Sequence, residues 1–104
     1  MADKRLKAEA TYSGVSDKDM NAFRNDLLSE MTTNNVGGYM VSAEGASWID
    51  IEGDEFDVDD IANYIDNSGI FATFNVESVV TITSRKLNDA YLYYKNLAPV
   101  TSVP

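Results

Sequence analysis

From Arg5 to Tyr12 the chain alternates. Leu6, Ala8, Ala10 and Tyr12 share one side; Arg5, Lys7, Glu9 and Thr11 share the other. A period of two predicts a half-buried strand, and Ser13-Gly14 ends it. Ser16 then stands as a helix cap, with Asp19 three residues on as a carboxylate variant of the capping box. Met20, Phe23, Leu27, Leu28 and Met31 follow at helical spacing. The run Thr32 to Asn35 and the pair Gly37-Gly38 stop this helix, and the glycine pair reads as a turn.

Tyr39 to Ala43 and Ser47 to Glu52 read as two strands joined by a tight Glu44-Gly45 turn. In the second strand Ile49 and Ile51 face one way, while Trp48, Asp50 and Glu52 face the other. Gly53-Asp54 turns out of it. Asp57 is the expected cap of a second helix, whose apolar stripe is Val58, Ile61, Ala62 and Ile65 and whose end is Asn67-Ser68-Gly69. Ile70 to Ser84 predicts a strand centred on Val79 to Thr83, with a break or bulge near Asn75 to Ser78. Arg85 to Asp89 reads as a loop. Ala90 to Lys95 fits a strand or a helix, and its three tyrosines favour the strand.

The order of elements is β-α-β-β-α-β with room for an extra C-terminal strand. Over residues 5 to about 84 it resembles the ferredoxin-like split βαβ sandwich, an α+β fold with an antiparallel sheet and two helices on one face. A length of 104 residues suits one domain. Residues 1–98 are expected to form it, with 99–104 as a loose tail. Element order carries no function by itself.

Charge adds more. The net charge is −9. From Asn25 to Ser84 there are twelve acids and no base; the flanks carry eight bases and five acids. Such a window disfavours direct nucleic-acid binding and an anionic membrane surface, and favours a basic partner. Cysteine and histidine are both absent. Disulfides, thiolate chemistry and Ser-His or Cys-His nucleophile systems are excluded with them. No secretory signal or membrane-length apolar run is visible, so the expected location is the cytoplasm, that of a host if the protein is viral.

The acids converge on Ile49 to Asp60, where seven of twelve residues are acidic. Aligning Gly53 with the invariant glycine of a calcium-binding EF-hand puts Trp48 at the first ligand position, and the pattern fails there. A looser metal site at Asp54, Glu55 and Asp57 is outweighed by a plain acidic loop. No metal and no cofactor is expected. Nothing fixes a catalytic carboxylate pair, so the chain does not read as an enzyme. Tyr39, Phe71, Phe74, Tyr91, Tyr93 and Tyr94 lack the neighbouring Lys and Arg of a base-stacking platform and read as core or protein contact. Part of the acidity suits a helix start, since Asp57, Asp59 and Asp60 lie where the helix dipole favours negative charge.

The remaining acids set the functional expectation. Asp50 and Glu52 form a carboxylate row beside Trp48, and Asp54 and Glu55 continue it. Asp57, Asp59, Asp60 and Asp66 extend it along the next helix. The expected whole is one anionic patch that binds a basic surface of another protein, with Trp48 as aromatic anchor. Its sharper form is an inhibitor of the phage type, mimicking nucleic-acid charge at a basic site on a nucleic-acid-processing enzyme. The alternative is a structural module that pairs with itself, as a homodimer, or with a larger assembly through its aromatic strands.

Overall fold

The structure, a computed structural model, describes residues 2–83 and 85 and the backbone of 92–95. Seven elements follow one another: β1 (Asp3–Thr11), α1 (Asp17–Thr33), β2 (Gly37–Ala43), β3 (Ala46–Asp54), α2 (Glu55–Asp66), β4 (Thr73–Ile82) and β5 (Leu92–Lys95). They build one sheet in the order β4-β1-β3-β2-β5. The first four strands pair antiparallel throughout, and β5 joins the β2 edge in parallel. The expected ferredoxin-like βαββαβ sandwich is present, and the extra strand with it. Within Ala90 to Lys95 the strand reading holds for Leu92–Lys95. The expected tail and most of the expected loop after Arg85 lie outside the described residues.

Local chemistry explains each element. Ser16 Oγ accepts the Asp19 N–H at 3.1 Å and caps α1. Met20, Phe23, Leu27 and Met31, spaced three and four apart, are buried. At the far end Asn35 takes a positive φ of 55°, and the Val36 N–H returns to the Met31 carbonyl at 2.9 Å. That closes the helix without a glycine, as Asn tolerates this region better than most residues. Gly37 and Gly38, expected in a turn, are instead the first two residues of β2. The β2–β3 hairpin turns on Glu44 (φ 44°) and Gly45 (φ 87°), the positive pair that a two-residue turn matched to strand twist requires.

The second helix starts earlier than the sequence suggests. Asp54, not Asp57, is its cap, and its carboxylate accepts the Phe56 N–H at 3.0 Å. The Glu55 N–H donates to the Ala2 carbonyl at 3.2 Å, so β3 passes into α2 without a loop. Replacing Asp54 with Ala removes this cap. It should cost about 1 kcal/mol, read as a lower urea midpoint with an unchanged slope. An unchanged midpoint would show that the cap contributes nothing.

The core lies between the helices and one face of the sheet. Leu6 and Ala8 of β1, Met40 of β2, and Ile49 and Ile51 of β3 meet the α1 stripe and Val58, Ile61, Ala62 and Ile65 of α2. The expected break in the fourth strand is a bulge. Lys7 pairs with Ser78 and Ala8 with Val76, so Glu77 is the extra residue.

Candidate functional site

The sheet has a second face that neither described helix, α1 nor α2, covers. Antiparallel register sets out its cross-strand rows. Tyr39, Asp50, Lys7 and Ser78 form one row. Val41, Trp48, Glu9 and Asn75 form the next, and Gly37, Glu52, Arg5 and Val80 the one on the other side. The register of β5 adds positions 93 and 95 opposite Tyr39 and Val41. Tyr39 and Trp48 are exposed, at 36% and 41%. With Lys7, Val41, Asp50 and Glu77 they line an open groove of about 640 Å³.

This register answers the charge question. β1 lies beside β3, so the bases Arg5 and Lys7 stand directly opposite Glu52 and Asp50. Arg5 Nε and Nη2 donate to the two Asp50 oxygens at 2.8 and 2.6 Å, a two-pronged grip. That bond is the chief reason the Arg5 pKa is raised above its ordinary value. Both side chains are about a quarter exposed. Solvent screening therefore limits the pair, and a double-mutant cycle of Arg5→Ala with Asp50→Ala should give a coupling of about 1 kcal/mol. Zero coupling would mean that the grip is incidental to stability.

The other acids are scattered. Glu52 is buried at 1% exposure. Asp54 is the helix cap, and Glu55 and Asp57 sit in the first turn of α2. Asp59 accepts from Lys4 Nζ at 2.7 Å on the helix side of the sheet. Asp60 and Asp66 are exposed along α2. The sheet thus separates Trp48 and Asp50 from the α2 acids, and the expected contiguous patch does not form. Lys4, Arg5 and Arg85 fold back from the basic flanks onto Asp59, Asp50 and Asp3. Two of these pairs, at Asp50 and Asp59, bring bases of the flank onto acids of the acidic window and lessen the segregation of charge seen along the chain. Among the described residues no group of three or more acids is placed to hold a metal ion.

A second groove, of about 550 Å³, opens on the helical side. Asp19, Phe23 and Asp26 of α1 face Asn63 and Tyr64 of α2 across it, with Ser68 below. The sequence pattern places Phe23 on the α1 stripe, Asp19 at its cap and Ser68 at the end of α2, and gives no sign of the groove, because neither helix pattern alone shows how the two helices meet. Phe23 and Tyr64 stack with ring centroids 6.2 Å apart and planes 13° off parallel. Phe71 meets Phe23 edge-on at 5.5 Å and Tyr12 at 6.2 Å. Burial raises the Tyr64 phenol pKa, and the charges of Asp26 and Glu30 raise it further. The groove mouth is therefore a place of negative potential.

No protein-family model and no curated protein matches the chain. Solved structures do. A bacterial light-regulated adenylyl cyclase superposes with a TM-score of 0.82 at 20% identity, over 97% of this chain and 30% of its own. BlrB, a BLUF protein in its dark state, gives 0.79 at 13% identity, over 92% of this chain and 76% of its own. BlrP1 of Klebsiella pneumoniae, solved with FMN and cyclic diGMP, gives 0.78 at 11% identity, over 95% of this chain and 27% of its own. The fold is that of the BLUF photoreceptor domains. Identities this low show a shared fold and no more, and the chain spans under a third of the cyclase. The likeness nonetheless overturns the expectation of a phage-type charge mimic. The architecture is one shared with BLUF proteins, and the acidic surface that the mimic required is divided by the sheet and in part neutralised.

Proposed function

We propose that this chain is a sensory or regulatory module of the BLUF type, acting in the cytoplasm by binding and coupling to an effector rather than by catalysis. One observation carries the reading: nearly the whole chain matches a minor part of a regulated enzyme, the light-regulated adenylyl cyclase. The residues agree with a non-catalytic role. There is no histidine or cysteine, Asp50 and Asp59 are held in ion pairs, and Asp54 caps a helix. Among the described residues no helix is long and apolar enough to cross a membrane.

A chimera tests this. The chain replaces the matching portion of the cyclase, and an unrelated domain of equal size replaces it in a control. Allosteric coupling of about 1–3 kcal/mol changes activity by roughly 5- to 150-fold, so the chimera should depart from the control by at least about fivefold. Equal activities would sink the regulatory reading.

A further inference from the structure

We infer that this BLUF-fold chain works without a flavin. The inference rests on the module reading only for its meaning, because it concerns the module's input; flavin binding itself is measured without any effector. A bound flavin makes three demands: walls for its tricyclic ring, polar partners for the carbonyl edge of that ring, and a cation or free backbone N–H groups for its phosphate. Among the described residues the walls and the phosphate site are lacking, and the closed core lacks the polar partners.

The walls come first. A ring slipped between two parallel rings needs about 3.5 Å of contact on each side, so about 7 Å between its neighbours. Phe23 and Tyr64 face each other across the helical groove at 6.2 Å, already in contact with each other. Phe71 and Tyr12 continue this aromatic chain inward. The groove is occupied by the chain's own rings. Among the described residues the groove on the open sheet face offers Trp48 and Tyr39 to one face of a ring laid there and no second ring to the other.

Asn63, Asn67 and Ser68 stand at the helical groove, but that groove is filled by rings, and the core behind it offers the carbonyl edge nothing. Between helices and sheet the core is apolar and closed: Met20, Leu27, Met31, Met40, Ile51, Val58 and Ile65 have no exposure at all. The buried polar side chains that share the helix-side face of the hairpin are Ser42 and Ser47, and their hydroxyls bond each other at 2.6 Å. A ring buried in that core would lose its bonds to water and find no replacement, which is unfavourable.

The phosphate meets carboxylates. A helix N-terminus is the ordinary backbone site for such a group. Here α1 begins with the Ser16 cap followed by Asp17 and Asp19, and α2 with the Asp54 cap followed by Glu55 and Asp57. Asp19 and Asp26 line the helical groove, and among the described residues no Lys or Arg lines it. In the open groove Lys7 stands beside Asp50 and Glu77.

The experiment uses the full chain, purified in darkness, then dialysed against FMN and, separately, FAD, with a BLUF photoreceptor alongside. The expected result is no visible flavin band after purification. No flavin should be retained on gel filtration after dialysis, and neither flavin should raise the melting temperature. Retention of about one flavin per chain, with a melting temperature that climbs with flavin concentration, would overturn the inference. A variant carrying Asp19→Asn and Asp26→Asn removes the carboxylates of the groove and keeps its rings. It too should bind no flavin, and capture of FMN by it would show that the rings leave room, against the inference. The chimera reads separately: regulation without flavin fits both proposals, flavin with regulation removes only this one, and neither flavin nor regulation removes only the module reading.

Discussion

Phe23→Ala should lower the unfolding free energy by about 3–5 kcal/mol, the cost of deleting a buried aromatic ring that its surroundings cannot refill. Phe23 is 5% exposed and touches rings on both sides, Tyr64 on α2 and Phe71 on the segment that leads into β4. Its loss therefore opens a void and also unfastens α1 from α2. For a domain of this size each kcal/mol moves the melting temperature by about 4–8 °C, so the fall should be large enough to read by circular dichroism. Trp48→Ala on the open sheet face is the comparison, with a smaller expected loss of about 1 kcal/mol because 41% of the residue already faces solvent. Equal losses at the two positions would mean that the aromatic chain between the helices is not what holds them together.

Much of this architecture can be read from pattern alone. The alternation at Leu6, Ala8 and Ala10 and the stripe Met20, Phe23, Leu27 and Met31 each respond to burial on one side, and burial is what periodicity records. The Ser16 cap and the Glu44-Gly45 turn follow from local backbone chemistry, which needs no knowledge of neighbours. The start of α2 is less plain, because Asp54, Asp57, Asp59 and Asp60 all have the chemistry of a cap. The choice falls to Asp54 through a contact at the chain's other end, the Glu55 N–H on the Ala2 carbonyl. Sequence order gives no sign of that meeting.

The site fails to emerge from the sequence for the same reason, on a larger scale. Asp50 and Glu52 look like an uncompensated row when only their own strand is considered. Arg5 and Lys7 look like part of a separate basic flank. The ferredoxin-like order places β1 between β3 and β4, and the two rows become partners. The fold and the alternation of both strands were each visible. Laying the polar face of β1 against that of β3 was the step that would have exposed the pairing. The helical groove is harder, since it depends on the rotation of two helices about their axes, and ring packing across them decides that.

Gly38→Ala should destabilise the protein by about 3 kcal/mol or more, at the upper end of what overpacking costs. The methyl group would lie 2.5 Å from the Asp50 carbonyl oxygen, 2.7 Å from Ile51 Cγ2 and 3.1 Å from Ile51 Cα. Gly38 pairs directly with Ile51, and β2 is held between β3 and β5, so the strand has little freedom to retreat. Backbone conformation is not the issue, in contrast to Gly14, whose φ of +70° strains any side chain but whose surroundings are open. The cause can be tested by trying to relieve it. Ile51→Ala removes the Cγ2 contact and leaves the Asp50 carbonyl in place, so the Gly38→Ala, Ile51→Ala double variant should recover none of the loss. The cost of the Ile51 cavity, about 2–5 kcal/mol, should add to it. A double variant more stable than Gly38→Ala alone would show that the clash is with a side chain able to move, and not with the backbone of β3. In that case the close approach of β2 to β3 would be a matter of packing that substitution can relax, and the glycine would not be required by the sheet itself.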